Sequence, residues 1–413
     1  MVTVRPFKAV RPRDEIAHRV ASFPYDVLNS KEARELAKDD EYTFLHVNKP
    51  EIDLPEDIDI YDESVYQKGK ENFYGMIEKG IFVQDGTPHL YIYRQTMNGH
   101  EQYGIVGCAS ADEYNNDLIK KHEFTRKKKE DDRTKHVITL NANAGPVFLT
   151  YRDNAKIDAL VAEVVKNKPE VDFVATDGIG HTVWVIKDER INAEISSTFR
   201  NDVPVLYVAD GHHRSASAAR AKAERLKTDP NPSDEKEYNY FLSVFFPGTQ
   251  LKIFDYNRVL LTMNGLTKDE FMAKMLEKFE IVRTGEDRPK MATEFGFYMD
   301  GEWKIIKAKA GTYPADDPVE GLDVSILQNN LLAPVLGIGD PRSDENIDFV
   351  GGIRGTAELK KRVDSGECTM AFSLFPTSVE QLMNVADAGK IMPPKSTWFE
   401  PKLRSGLLVH LLD

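Results

Sequence analysis

Residues 203–209 read Val-Pro-Val-Leu-Tyr-Val-Ala, a nearly continuous apolar run, and Asp210-Gly211-His212-His213-Arg214 follows at once. A run of this kind is the signature of a strand covered on both faces. Residues 215–227 are then rich in alanine and charge and read as a helix. A buried strand that turns at a glycine into a helix calls for an α/β fold, here with a mixed sheet.

The rest of the chain fits that class. Two alternating runs, 89–94 and 102–108, flank Asn98-Gly99 and predict a hairpin. Further strands are predicted at 43–47, 146–151, 181–186, 240–246 and 369–375, and a second hairpin at 295–299 and 303–309. Helices are predicted from Ser30 with an Asn29 or Ser30 cap, at 61–79, 157–165, 268–279, 324–332 and 379–388. At 413 residues the chain is too long for one ordinary core. The expected division is a nucleotide-binding core with insertions at 1–250 and a C-terminal α/β domain at 251–413, which contributes a closing loop.

Composition narrows the function. Net charge is −13, so the surface as a whole should repel DNA and anionic membranes. No basic helix-turn-helix is visible, and no DNA partner is expected. Two cysteines, Cys108 and Cys368, rule out a disulfide framework and a cysteine-based zinc site. No signal-peptide core or bilayer-length apolar run is present, so no membrane partner is expected and the cytoplasm is the expected compartment. Oligomeric state is left open.

The strand–turn–helix carries the strongest chemical signal. Ligands of open α/β sheets bind at the carboxyl ends of strands, where a helix start offers backbone N–H groups and positive potential. Gly211 permits the turn and a close approach to the backbone. Asp210 can cap the helix, hold a metal such as Mg²⁺, or accept a proton. His212, His213 and Arg214 suit phosphate, with Ser215 beside them. The plain alternative is a capped helix start with two surface histidines; so many ligand-type residues in a row favour the site.

Residues 121–135 carry seven Lys/Arg and four Asp/Glu, a positive island of +3 in an acidic chain. Such an island suits a compact polyanion. Lys121, His122 and Arg133 are the expected phosphate contacts, and Glu123 the general base. A strand here would point His122 and Glu123 to opposite faces. The remaining charges read as a solvated helix, and 141–146 as a turn whose amide side chains could line the same cleft. Residues 390–404 are again +3 and hold three prolines, which predicts a stiff loop. Lys395, Ser396 and Thr397 could close it over a phosphate; equally, Trp398 and Phe399 could simply pin it to the core.

The turn also resembles the D-G-x-H-R box of the ParB/sulfiredoxin-like superfamily, in which a comparable box binds nucleotide phosphates. Sulfiredoxin carries a cysteine where this chain has His212, so reductase chemistry is not implied. More widely, residues 5–12, 23–28, 121–125, 209–214 and 392–402 resemble a conserved family described as domain of unknown function 1015. The superfamily resemblance implies a ParB/sulfiredoxin-like core and ATP or ADP with Mg²⁺. Because the superfamily includes free serine kinases, it also implies phosphoryl transfer to a small hydroxylated metabolite, with serine the first acceptor to try. Two other readings stay open: a nucleotide-binding regulator with slow hydrolysis or none, and a metal-dependent phosphohydrolase.

Overall fold

The structure is a computed structural model that describes residues 1–413. By their contacts the residues fall into two compact units, Met1–Leu251 with Pro401–Asp413, and Lys252–Glu400. The first unit thus takes in residues 401–413, which the expected division grouped with the C-terminal portion.

The first unit is built on an eight-stranded mixed sheet. In chain order its strands are β1 (Tyr91–Met97), β2 (His100–Ser110), β3 (Ile119–Lys120), β4 (Val147–Tyr151), β5 (Val171–Val174), β6 (Gly180–Val185), β7 (Leu206–Asp210) and β8 (Tyr240–Pro247). Their order in space is β3-β7-β4-β8-β2-β1-β6-β5. β1 and β2 form the expected hairpin at Asn98-Gly99, where Asn98 (φ 51°) and Gly99 (φ 76°) are both left-handed. β7 has the expected neighbours on both sides, β3 parallel and β4 antiparallel. Leu206, Tyr207, Val208 and Ala209 are all buried, which explains the unbroken apolar run. Pro204 lacks an N–H for the ladder, and the strand begins two residues beyond it.

The unit also holds helices α1 (Ser30–Ala37), α2 (Leu45–Asn48), α3 (Glu63–Glu78), α4 (Lys127–Leu140), α5 (Ala155–Val164), α6 (Glu189–Asp202) and α7 (His212–Thr228); α5, α6 and α7 join the core of the sheet, whereas α1, α2 and α3 pack on one another and on α4. α1 starts with a full capping box between Asn29 and Glu32. The main core joins Val147, Leu149 and Tyr151 of β4 and Leu206 and Val208 of β7 to Phe199 of α6 and Ala216, Ala218 and Ala219 of α7. The three alanines let α7 lie close to the sheet. One expected strand is absent: within 43–47, residues from Leu45 onward are the short buried helix α2. Phe44 and Val47, three apart, both enter the cluster with Phe73 and Phe82, which a helix allows and an alternating strand does not. The final residues run back along the opening segment, Ser405 beside Ser22 and Val409 beside Val10.

The second unit has a six-stranded sheet of β9 (Tyr256–Leu260), β10 (Phe279–Thr284), β11 (Glu294–Met299), β12 (Glu302–Ala308), β13 (Ile347–Gly351) and β14 (Met370–Leu374), in the order β10-β12-β11-β14-β9-β13. Helices α8 (Lys268–Lys278), α9 (Gly355–Asp364) and α10 (Val379–Asp387) belong to it. No helix of the chain is long and apolar enough to cross a membrane.

Candidate functional site

β7 ends at Asp210, and Gly211 turns the chain into α7 with φ 98°, a conformation that L side chains rarely adopt. A second reason for glycine is space. A Cβ at this position would lie 3.0 Å from Nε of Arg214 and 3.2 Å from its Cζ. Asp210 does not cap the helix, as the sequence allowed; Gly211 is the N-cap, and no side chain caps the first amides. The helix also begins three residues earlier than its alanine-rich stretch suggests, so His212, His213 and Arg214 form its first turn.

Those three side chains take separate directions. His212 is 6% exposed, and its ring meets that of His122 edge-on, with centroids 4.5 Å apart. His213 accepts a hydrogen bond from the backbone N–H of Arg126 at 3.0 Å, which fastens the 121–126 loop to the helix start. Arg214 donates to the carbonyl of Pro146 and lies 3.8 Å from Asp210 Oδ2. Neither histidine of the box is the free surface group of the plain alternative.

Glu123 reaches this turn from the chain segment after β3. Its Oε2 is 3.9 Å from Nδ1 of His212, so two residues 89 positions apart line one place. The segment is a loop rather than the expected strand. His122 is nevertheless buried and Glu123 half-exposed, because His122 turns under His212 while the carboxylate stays at the rim.

The electrostatics are unusual for a helix start. Burial pushes His122 down to about 4, although Asp210 and the Val208 carbonyl pull the other way. Burial, then His122, His213 and Arg214, hold His212 well below its ordinary value. Both rings are therefore neutral near pH 7. The Val208 carbonyl lies close to the His122 ring, but no ring nitrogen of His122 makes a well-formed hydrogen bond, and Nε2 of His212 has no partner. Buried polar atoms are seldom left so, and such an orphaned set marks a place for a ligand or ordered water. Burial would raise the pKa of Asp210, but Lys402, Arg214 and the hydrogen bond from Lys402 outweigh it and keep the carboxylate ionised.

Lys402 was not singled out from the sequence. Its Nζ lies 3.3 Å from Asp210 Oδ2, and its backbone carbonyl accepts from Gln95 Nε2 at 2.9 Å. It arrives on residues 401–413, and only its place in a box resembling the family hinted at it.

Other expected residues are placed differently. Lys121 donates to the Tyr114 carbonyl, pairs with Asp117 at 2.7 Å and lies over the Tyr114 ring, so it serves its own loop. Ser215 is fully buried, and both its N–H and its hydroxyl donate to the Gly211 carbonyl, leaving nothing for a phosphate. Arg133 pairs with Asp132 at 2.9 Å and stacks on Tyr25; with Arg214 and Asn143 it lines a small cavity of about 40 Å³ behind the turn. Lys395, Ser396 and Thr397 belong to the second unit, where the Ser396 hydroxyl donates to the Pro393 carbonyl.

Mg²⁺ held by Asp210 does not fit this arrangement. Two cations already flank the one carboxylate, and no group of three metal-ligating side chains gathers anywhere in the chain.

The buried histidines set an acid limit on the fold. His122 and His136 lie at about 4 and His181 at about 3, each lowered first by burial. A lowered pKa means that the unfolded chain binds the proton more readily. Their contribution is complete above the unfolded value of about 6.5 and is lost as pH falls towards 4. His46 works in the opposite sense, its pKa raised by the hydrogen bond to Asp53. The unfolding free energy read from urea titrations should therefore drop between pH 7 and 5, by on the order of 1 kcal/mol per pH unit for each depressed histidine. A flat profile would show that these rings are not held neutral.

Among curated proteins none matches the sequence significantly. Among solved structures, a free serine kinase in complex with AMP is 13% identical, with a TM-score of 0.34 over 72% of this chain and 86% of that one. SbnI with a C-terminal truncation, from Staphylococcus aureus, is 12% identical at a TM-score of 0.37, over 74% and 87%. A conserved hypothetical protein from Pyrococcus furiosus is 13% identical at 0.34, over 75% and 95%. At such scores the likeness is one of partial chain trace and says nothing about chemistry. The family model described as Protein of unknown function (DUF1015) matches residues 4–325, and the chain belongs to that family.

Proposed function

We propose that this protein binds a nucleotide by its phosphates at the Asp210–Arg214 turn and transfers a phosphoryl group to a small hydroxylated metabolite. The observation that carries the reading is the convergence of Glu123 on an uncapped helix start that also holds Arg214, Lys402 and orphaned histidine nitrogens. The uncapped amides and the helix dipole favour anionic oxygens. Arg214 and Lys402 add charge-assisted contacts. His212, neutral, can donate a hydrogen bond to the transferred group without adding a repelling charge to its neighbours. A core of the ParB/sulfiredoxin-like kind is part of the same proposal.

The step balances simply. The acceptor hydroxyl loses its proton to the Glu123 carboxylate as its oxygen forms a bond to phosphorus. The bond from phosphorus to the nucleotide oxygen breaks, and the nucleotide leaves with that electron pair. Serine is the first acceptor to try.

The test is direct. Purified protein is given ATP or ADP, with and without Mg²⁺, and a panel of free amino acids and polyols. A phosphorylated acceptor, identified by mass, is the expected result. Binding with no product, or with water as the sole acceptor, moves the reading to a nucleotide-binding regulator.

A further inference from the structure

The second unit buries a cation that no carboxylate balances. Arg258 lies mid-strand on β9, paired with Phe349 on β13 and Phe372 on β14, and is 4% exposed. Charges so placed are ordinarily matched by an opposite charge. Here the guanidinium donates to two carbonyls, those of Tyr256 and, at 3.1 Å, Lys395, and lies 5.3 Å from the centre of the Phe349 ring. Burial lowers its pKa to about 10, against an opposing pull from Tyr256.

A second cation stands beside it. Lys395 adopts a left-handed conformation, φ 61°, which is rare for a residue with a side chain. That backbone turns its carbonyl to Arg258 and sets its ammonium 5.4 Å from the centre of the Tyr256 ring. Tyr256 in turn meets Phe349 at 6.0 Å and Trp398 at 5.1 Å, both edge-on. The loop is held in this form from below. Thr377 donates to the Ser396 carbonyl at 2.9 Å, and the Ser396 hydroxyl to that of Pro393 at 2.6 Å. Gly351 makes room, since a Cβ there would lie 3.0 Å from the Trp398 indole.

An arginine needed only to tie a strand to a loop would not require a strained lysine that brings a second positive charge to the same aromatic pair. We infer that Arg258 and Lys395, framed by Tyr256, Phe349 and Trp398, form a binding site for a phosphate-bearing anion on the second unit. Two cations match a phosphate dianion better than a single carboxylate, and the rings exclude water from one side of the contact. The inference stands apart from the function proposed for the first unit.

Calorimetric titration of the full chain with inorganic pyrophosphate tests it. Arg214→Ala serves as the background, to weaken binding at the first unit's turn. That variant should retain a pyrophosphate-binding event. Adding Lys395→Ala should weaken the event by on the order of tenfold, and adding Arg258→Gln by on the order of a hundredfold. Loss of all binding in Arg214→Ala alone overturns the inference. So does an Arg214→Ala/Lys395→Ala protein that binds pyrophosphate as tightly as Arg214→Ala alone. Lys395 is exposed, so its variant keeps the test decisive even where Arg258→Gln does not fold.

Discussion

Glu123→Gln should lower turnover by about 10²- to 10⁴-fold and leave nucleotide affinity within about twofold of the parent protein. The substitution keeps the shape of the side chain and removes only its ability to take a proton. Glu123 is half-exposed, so the change buries no new polar group, and stability should hold. Its contact with His212 is long, at 3.9 Å, and an amide at that distance costs the imidazole little. Single-turnover measurements separate the chemical step from binding and release. Equal losses in kcat and kcat/KM would assign Glu123 to the transition state. Unchanged turnover would remove it from the chemistry, and the positive island around it would then be surface charge alone.

Much of the fold was legible because its signals are local. An unbroken apolar run such as 203–209 has one natural place, the inside of a sheet, and Asn98-Gly99 encodes its own turn. The 43–47 segment shows the limit. Its β-branched and aromatic residues suit a strand, yet α2 forms because Phe44 and Val47 share a cluster with Phe73 and Phe82 from far along the chain. Tertiary packing there overrides a five-residue pattern, which is too short to fix a period.

The candidate site was legible as a contiguous stretch at its centre and not at its edges. Asp210 to Arg214 could be read because a buried strand, a glycine and a run of ligand-type side chains are contiguous. Lys402 could not, because it is 192 residues from Asp210 and depends on the chain's end returning to the first unit. Lys121 illustrates the converse error. Charge density along a sequence says that a region is basic, not where each lysine points, and Tyr114 and Asp117 claim this one. Ser215 is placed by a related cause: one residue further into the helix, its hydroxyl donates to the Gly211 carbonyl.

Arg214→Ala should weaken nucleotide binding by about ten- to a hundredfold, since a charge-assisted contact to phosphate contributes roughly 1.5–3 kcal/mol. Its guanidinium has a structural task as well, donating to the Pro146 carbonyl and standing 3.8 Å from Asp210. The variant should therefore also lose stability, by about 1–3 kcal/mol for the carbonyl left unpaired. Asp210 keeps Lys402, so its carboxylate should stay ionised at neutral pH. The two effects are separable. Titration calorimetry at 25 °C, where circular dichroism shows the variant folded, reads affinity alone. Urea unfolding without nucleotide reads stability alone. Arg214→Lys sharpens the contrast, because it keeps the charge but not the planar fork. If the fork matters, lysine recovers only part of the affinity. A folded Arg214→Ala protein that binds nucleotide as tightly as its parent would leave the arginine a purely structural role, and the phosphate contact would have to pass to Lys402 and the uncapped amides of α7.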